Sequence, residues 1–148
     1  MGLGVRMKVV LDTLPLIEFF KDEENANKVE TILKKIEDEK IEACISSLTI
    51  SELYYILAHF KNDKFAEKIL RYIEISNINV VPVNKSIAEK GGEFKYKYSH
   101  DRVKKGLPLA DCIIAATSWI ERAILISSDD EHFKRIREIK YINTKDFS

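Results

Sequence analysis

Apolar positions along this chain follow two alternating rhythms. Short β-branched or aliphatic runs fall at residues 9–11, 41–45, 79–83 and 124–126, with a weaker one at 140–143. Between them, apolar residues recur at helical spacing. The stripes are Ala26, Val29, Leu33 and Ile36; Phe65, Ile69, Tyr72 and Ile73; Ile87, Gly91, Phe94 and Tyr98; and Leu109, Ile113, Ala116 and Ile120. Strands that alternate with helices predict parallel pairing through right-handed crossovers, and hence a three-layer α/β sandwich. No linker, low-complexity tract or repeat interrupts the pattern. Residues 1–148 are therefore expected to form a single domain, with 1–6 as a disordered leader.

Composition narrows the class. A hydrophobic content of 45% with five Gly and three Pro in 148 residues fits a compact globular chain, which at this size buries roughly 68–70% of its unfolded surface. The longest run without a charge is ten residues, 75–84, and a membrane helix needs about 20. The first residues are too few, and charged too soon, for a secretory signal. Cys44 and Cys112 are too few for a disulfide framework or a four-thiolate zinc site, so free thiols in a cytoplasmic protein are expected. The 24 Lys plus Arg balance the 24 Asp plus Glu, yet unevenly. Residues 18–42 carry nine acids and five bases, whereas 85–105 carry seven bases and three acids. Both runs suit solvated helix faces. They also suit a basic surface beside an acidic site.

In parallel sheets, ligands bind beyond the carboxyl ends of the strands. Asp12 follows the first strand there, and Glu52 lies one helical turn beyond the second. Ser127, Ser128, Asp129 and Asp130 follow the fourth, and Asp111 sits at the start of the helix leading into it. Taken singly, most of these acids have a structural explanation. Asp12 and Thr13 suit a helix cap, Thr49-Ile50-Ser51-Glu52 is a literal capping box, and Asp129 or Asp130 suits the next turn. Asp111 is harder to explain so, because Cys112-Ile113-Ile114-Ala115-Ala116 is apolar on nearly every face. Such a helix is buried, and an ionised carboxylate there is costly unless paired or bound to a cation. Four acids converging on one sheet edge with no interleaved Lys or Arg repel one another. A divalent cation relieves that repulsion, and hard carboxylate oxygens suit Mg²⁺ or Mn²⁺. Water activated on such a metal hydrolyses phosphodiesters.

The pattern resembles a known family. Val9-Val10-Leu11-Asp12-Thr13, the run from Ser47 to Leu53, the run from Leu107 to Thr117, and Leu125-Ile126-Ser127-Ser128-Asp129 resemble the motifs of PIN-domain nucleases, above all the VapC-type toxins of toxin–antitoxin pairs. The most specific piece is Leu-Pro-Leu-Ala-Asp-Cys-Ile-Ile-Ala-Ala-Thr. The resemblance implies a parallel five-stranded sheet between helices and a Mg²⁺- or Mn²⁺-dependent endonuclease for single-stranded RNA. It also implies a homodimer and a small antitoxin partner. Asp12, Glu52 and Asp111 fall on the family's acidic positions. For the fourth, counting forward from Asp111 gives Asp129, whereas counting back from Phe133 gives Asp130, because this loop holds one residue more than the family's form. Asp129 is preferred, since helix-to-strand spacing is more rigid than the loop, and Asp130 stays in the candidate metal set. Thr13, Ser127 and Ser128 are expected to orient a carboxylate or a water.

Upstream of Asp111, bases alternate with aromatics. Lys95, Lys97, Arg102, Lys104 and Lys105 suit RNA phosphates, with tyrosines available for stacking on unpaired bases. An ordinary solvated helix with Tyr98 in the core fits equally. His59, His100 and His132 are too scattered to suggest a metal set, and His59 and His132 are expected at the surface or in packing. Trp119 is expected in the core or a dimer contact, while the segment 54–57 suits either a partner surface or the core. Two other functions fit the same residues: a housekeeping RNA-processing nuclease, and a non-catalytic dimeric RNA- or protein-binding module. A melting temperature that rises with millimolar Mg²⁺ or Mn²⁺ is expected of either nuclease, and no shift is expected of the binding module.

Overall fold

Five short strands pair in parallel, in the order β3-β2-β1-β4-β5. The computed structural model describes residues 6–99 and 106–148, so the expected leader lies, but for Arg6, outside the described residues. The strands are β1 (Lys8–Leu11), β2 (Glu42–Ser46), β3 (Ile78–Val81), β4 (Ile124–Ser127) and β5 (Lys140–Asn143). Each expected run became a strand, shifted by at most a residue or two; β3 stops before Pro82, which has no N–H to continue the ladder. The helices are α1 (Thr13–Phe20), α2 (Ala26–Glu37), α3 (Ser47–Phe60), α4 (Asp63–Ile75), α5 (Lys85–Tyr98) and α6 (Leu109–Ile120). No helix among the described residues is long and apolar enough to cross a membrane.

Alternation along the strands sorts the core into two layers. Val9 and Leu11 of β1, Ala43 and Ile45 of β2 and Ile126 of β4 face α1–α4. Val10, Cys44 and Leu125, paired side by side in the register, face α5 and α6. The three-layer expectation holds. Cys44 and Cys112 are free and buried, and burial pushes both thiols up to about 11.

Local chemistry sets where helices begin. Asn62 Oδ1 accepts from the Phe65 amide at 2.8 Å, and Asn84 Oδ1 from the Ile87 amide at 3.0 Å. Ser46 Oγ accepts from the Leu48 amide at 3.1 Å. Each cap is worth about 1 kcal/mol. The Ser46 cap overturns the capping box: α3 starts at Ser47, so Thr49 is buried inside its first turn and Glu52 is released for other work.

Three packing expectations need correction. Tyr72 is 43% exposed and Leu109 51% exposed, so neither belongs to its stripe's buried face. In α6 the buried residues are Cys112 and a continuous run from Ile114 to Ser118, because the helix is enclosed on most sides. Trp119 is 44% exposed, with the Lys90 ammonium 4.3 Å from its ring centroid, so it is no core residue. In the 54–57 segment, Leu57 is core and Tyr54 and Tyr55 are exposed.

The approach of α5 to α6 depends on Gly91. A Cβ there would lie 2.9 Å from Ile113 Cγ1 and 3.2 Å from Ile113 Cα. At Gly92 a Cβ meets nothing within 4 Å. Gly91→Ala is therefore expected to lower stability in urea by about 1–2 kcal/mol, overpacking outweighing the gain in helix propensity. Gly92→Ala should stabilise by up to about 1 kcal/mol. Equal effects at the two positions would refute this account of the α5–α6 contact.

Candidate functional site

Strand order fixes where the site lies. The chain runs outward from β1 to β2 and β3, then returns to place β4 on the other side of β1. The crevice between the carboxyl ends of β1 and β4 is thus the switch point at which ligands bind in such sheets. Asp12 follows β1, and its amide donates to the Ile126 carbonyl at 2.9 Å, extending the strand pairing by one residue. Its backbone occupies the N-cap position of α1, but its side chain makes no capping bond. Instead Asp12 Oδ2 accepts from the Ser127 hydroxyl at 2.7 Å. The same Ser127 oxygen accepts from the Asp129 amide at 2.9 Å, so one side chain ties the ends of both strands to the loop beyond.

Glu52 enters from the second turn of α3. The Thr13 hydroxyl donates to Glu52 Oε1 at 2.6 Å and lies 3.0 Å from Thr49 Oγ1, which joins α1 to α3 at the site. Asp111 enters from the first turn of α6. Lys95 holds the segment before it, donating to the Leu107 carbonyl at 2.6 Å. Asp129 divides its two oxygens. Oδ1 accepts from the amides of Glu131, at 2.7 Å, and His132, at 3.1 Å, while Oδ2 lies 2.8 Å from His132 Nδ1. That nitrogen also lies 2.7 Å from Asp111 Oδ2.

Asp12, Glu52, Asp111 and Asp129 thus lie near enough for their charges to act on one another, Asp111 and Glu52 on Asp12, and Asp129 and Glu52 on Asp111. Ligand atoms of Asp111, Asp129 and His132 lie within 4.8 Å of one another. Asp130 does not join them. It accepts from the Asn143 amide group at 2.5 Å and faces Lys134 and Lys145, each 3.6 Å away; the Asn143 bond, with these lysines, lowers its pKa. Ser128 turns to Glu18 and to Thr144, whose hydroxyl is 2.8 Å away, and so braces α1 against the chain after β5. Of the expected RNA contacts, Lys95 is engaged with Leu107, and Lys97 pairs with Glu138 at 2.9 Å. Arg102, Lys104, Lys105 and His100 lie outside the described residues. Tyr98 packs against the second core layer and donates to Glu138.

His132, expected at the surface or in packing, instead lies between Asp111 and Asp129. The signal for it is local. It stands three residues after Asp129, the spacing at which a tight turn brings two side chains to one side.

The electrostatics are those of a site built for positive charge. Asp12 is only 5% exposed. Burial pushes its carboxyl up to about 7, Ser127 opposes the shift, and the charges of Asp111 and Glu52 add to it. Burial likewise raises Asp111, against the lowering effect of His132. Among the described residues, no Lys or Arg forms an ion pair with Asp12, Glu52, Asp111 or Asp129. A set of hard oxygen donors beside one imidazole, paired with no Lys or Arg among the described residues, fits Mg²⁺ or Mn²⁺.

A family model described as PIN domain matches residues 9–139. No curated protein matches the chain. The fold is similar to that of VapBC2 from Rickettsia felis bound to a promoter DNA fragment, with a TM-score of 0.76 and 18% identity over 93% of this chain and 98% of that one. It is similar also to DNA-bound VapBC from Salmonella typhimurium, with a TM-score of 0.76 and 20% identity over 93% and 98%. VapC20 from Mycobacterium tuberculosis, a sarcin-ricin loop cleaving toxin, gives 0.62 and 13% over 79% and 86%. At these identities the likeness is one of fold.

The raised Asp12 pKa fixes the sign of a pH effect. Between its ordinary value of 3.8 and about 7, the folded protein keeps a proton that the unfolded chain has lost. Stability of the protein in EDTA should therefore fall as pH rises through that window. Asp12→Asn is expected to raise the melting temperature in EDTA at pH 8 and to change it far less at pH 4. A difference that stays constant across this range would remove burial as the cause.

Proposed function

This chain belongs to the PIN-domain family, and on that premise we propose that it is a Mg²⁺- or Mn²⁺-dependent endoribonuclease that cleaves single-stranded RNA, acting as the toxin of a toxin–antitoxin pair. The observation that carries the reading is the convergence of Asp12, Glu52, Asp111 and Asp129 at the β1–β4 switch point with no Lys or Arg paired to them among the described residues. A cation bound there supplies the positive charge that draws in a phosphodiester and eases ionisation of the attacking water.

The chain's own residues supply position. Asp12, Asp111 and Asp129 hold the ion, with Glu52 completing the set from α3. Ser127 directs Asp12 through its Oδ2, and Thr13 directs Glu52 through its Oε1. Both hydroxyls stand on structure that the core immobilises, so the carboxylates need little rearrangement on binding. In-line attack of water on phosphorus breaks the P–O3′ bond, leaving a 5′-phosphate on one product and a 3′-hydroxyl on the other. Arg102, Lys104 and Lys105, shortly before Asp111 in the sequence, add positive charge suited to the RNA backbone.

The toxin assignment is supported by neighbours of the same fold described as VapBC complexes, and an RNA substrate by one described as cleaving the sarcin-ricin loop. A small antitoxin encoded beside the gene, a homodimer and a cytoplasmic setting belong to the same reading. A partner that relieves toxicity on co-expression separates a toxin from a processing nuclease.

The reading is tested by incubating a mixed RNA pool with the protein, with and without Mn²⁺, and mapping the cut ends beside a DNA control. Metal-dependent cuts in RNA with 5′-phosphate ends are expected. Asp12→Asn and Asp111→Asn should each lower the rate by at least about 100-fold, the upper end of what loss of an outer-shell metal partner costs, with unchanged circular dichroism. Cleavage at the wild-type rate by either variant would falsify the assignment.

A further inference from the structure

We propose that His132 is a nitrogen ligand to the divalent cation of this site, and that it biases the site from Mg²⁺ toward Mn²⁺. The inference rests on the metal-dependent reading of the acid cluster and adds a donor of a different chemical type. Single ligand atoms from Asp111, Asp129 and His132 all lie within 4.8 Å of one another, close enough to face one ion. His132 Nδ1 is the centre of that group, 2.7 Å from Asp111 Oδ2 and 2.8 Å from Asp129 Oδ2.

The ring is held in place from both sides. The His132 amide donates to Asp129 Oδ1, which closes a turn and leaves Asp129 Oδ2 and the imidazole together. The next residue, Phe133, is fully buried and stacks on Tyr141 with ring centroids 6.1 Å apart. The following turn is closed by the Arg135 amide donating to the His132 carbonyl at 3.2 Å. A solvent-facing histidine on a loose loop has no such anchors. In the metal-free protein Nδ1–H donates to these carboxylates. An ion entering between them would take the place of that proton, leaving the ring protonated on Nε2 with its Nδ1 lone pair on the metal.

The chemical consequence is selectivity. Carboxylate and water donors alone suit Mg²⁺, which gains little from nitrogen. An imidazole donor adds more to binding of a first-row transition metal than to Mg²⁺, and for Mn²⁺, the weakest binder of that series, the gain is modest. One rival role for His132 is that of an internal counter-ion, which a metal would have to displace. The two roles have opposite signs: removing a ligand weakens Mn²⁺ binding, whereas removing a competitor strengthens it.

The test is Mn²⁺ binding to the full chain, followed by pulsed electron paramagnetic resonance and by titration. The wild-type protein should show ¹⁴N coupling to bound Mn²⁺ and bind Mn²⁺ more tightly than Mg²⁺. His132→Ala should lose the coupling and weaken Mn²⁺ binding at least about tenfold, with a smaller change for Mg²⁺. Bound Mn²⁺ without ¹⁴N coupling, or Mn²⁺ binding by His132→Ala as tight as wild type or tighter, overturns this inference alone. No Mn²⁺ uptake by the wild-type protein overturns both it and the metal-dependent reading.

Discussion

Burial of the Asp12 carboxylate at the end of the central strand is the constraint around which the rest of this structure is arranged. The sheet order leaves β1 flanked by β2 and β4, so the residue that ends it is enclosed on both sides. An ionised carboxylate there faces lost solvation and two further acids, which Ser127 and the Thr13 backbone oppose. Left to stability alone, such a position would hold a neutral residue. Its charge becomes intelligible once a cation is the intended partner, since the energy that burial and repulsion withhold from the bare protein is returned on binding.

The apolar frame makes that tension tolerable. Two core layers clamp the sheet, so the strand ends cannot relax apart. A few hydroxyls then convert rigid backbone into directed carboxylates: Ser127 spans β1 and the loop after β4, and Thr13 spans α1 and α3. Lys95 belongs to this frame too. Its ammonium secures the Leu107 carbonyl next to the start of α6, and thereby the register of Asp111. A residue whose charge suggested RNA contact is here engaged in placing an acid.

The sheet and its flanking helices were legible because strand and helix periods are local properties, and β-branched runs separated by helical stripes leave few topologies. The four acids were legible through placement after strands and through the apolar run beyond Asp111. What stayed hidden depended on tertiary context. Thr49-Ile50-Ser51-Glu52 reads as a capping box, yet Ser46 caps the helix first and Glu52 turns to Thr13. The stripe through Leu109 failed because an enclosed helix needs no single buried face. His132 is set by a turn whose closure involves the Asp129 side chain, a bond that no periodicity announces. The choice between Asp129 and Asp130 turned on the same loop, where Asn143 draws Asp130 aside.

The central claim is that these carboxylates are gathered to hold a divalent cation. Diffraction from crystals soaked in Mn²⁺, recorded for anomalous scattering, tests it most directly. The account predicts an anomalous peak in the crevice between β1 and β4, bounded by the carboxylates of Asp12, Asp111 and Asp129. Millimolar Mn²⁺ that leaves this crevice without a peak, or collects only at the exposed Asp130, would contradict it.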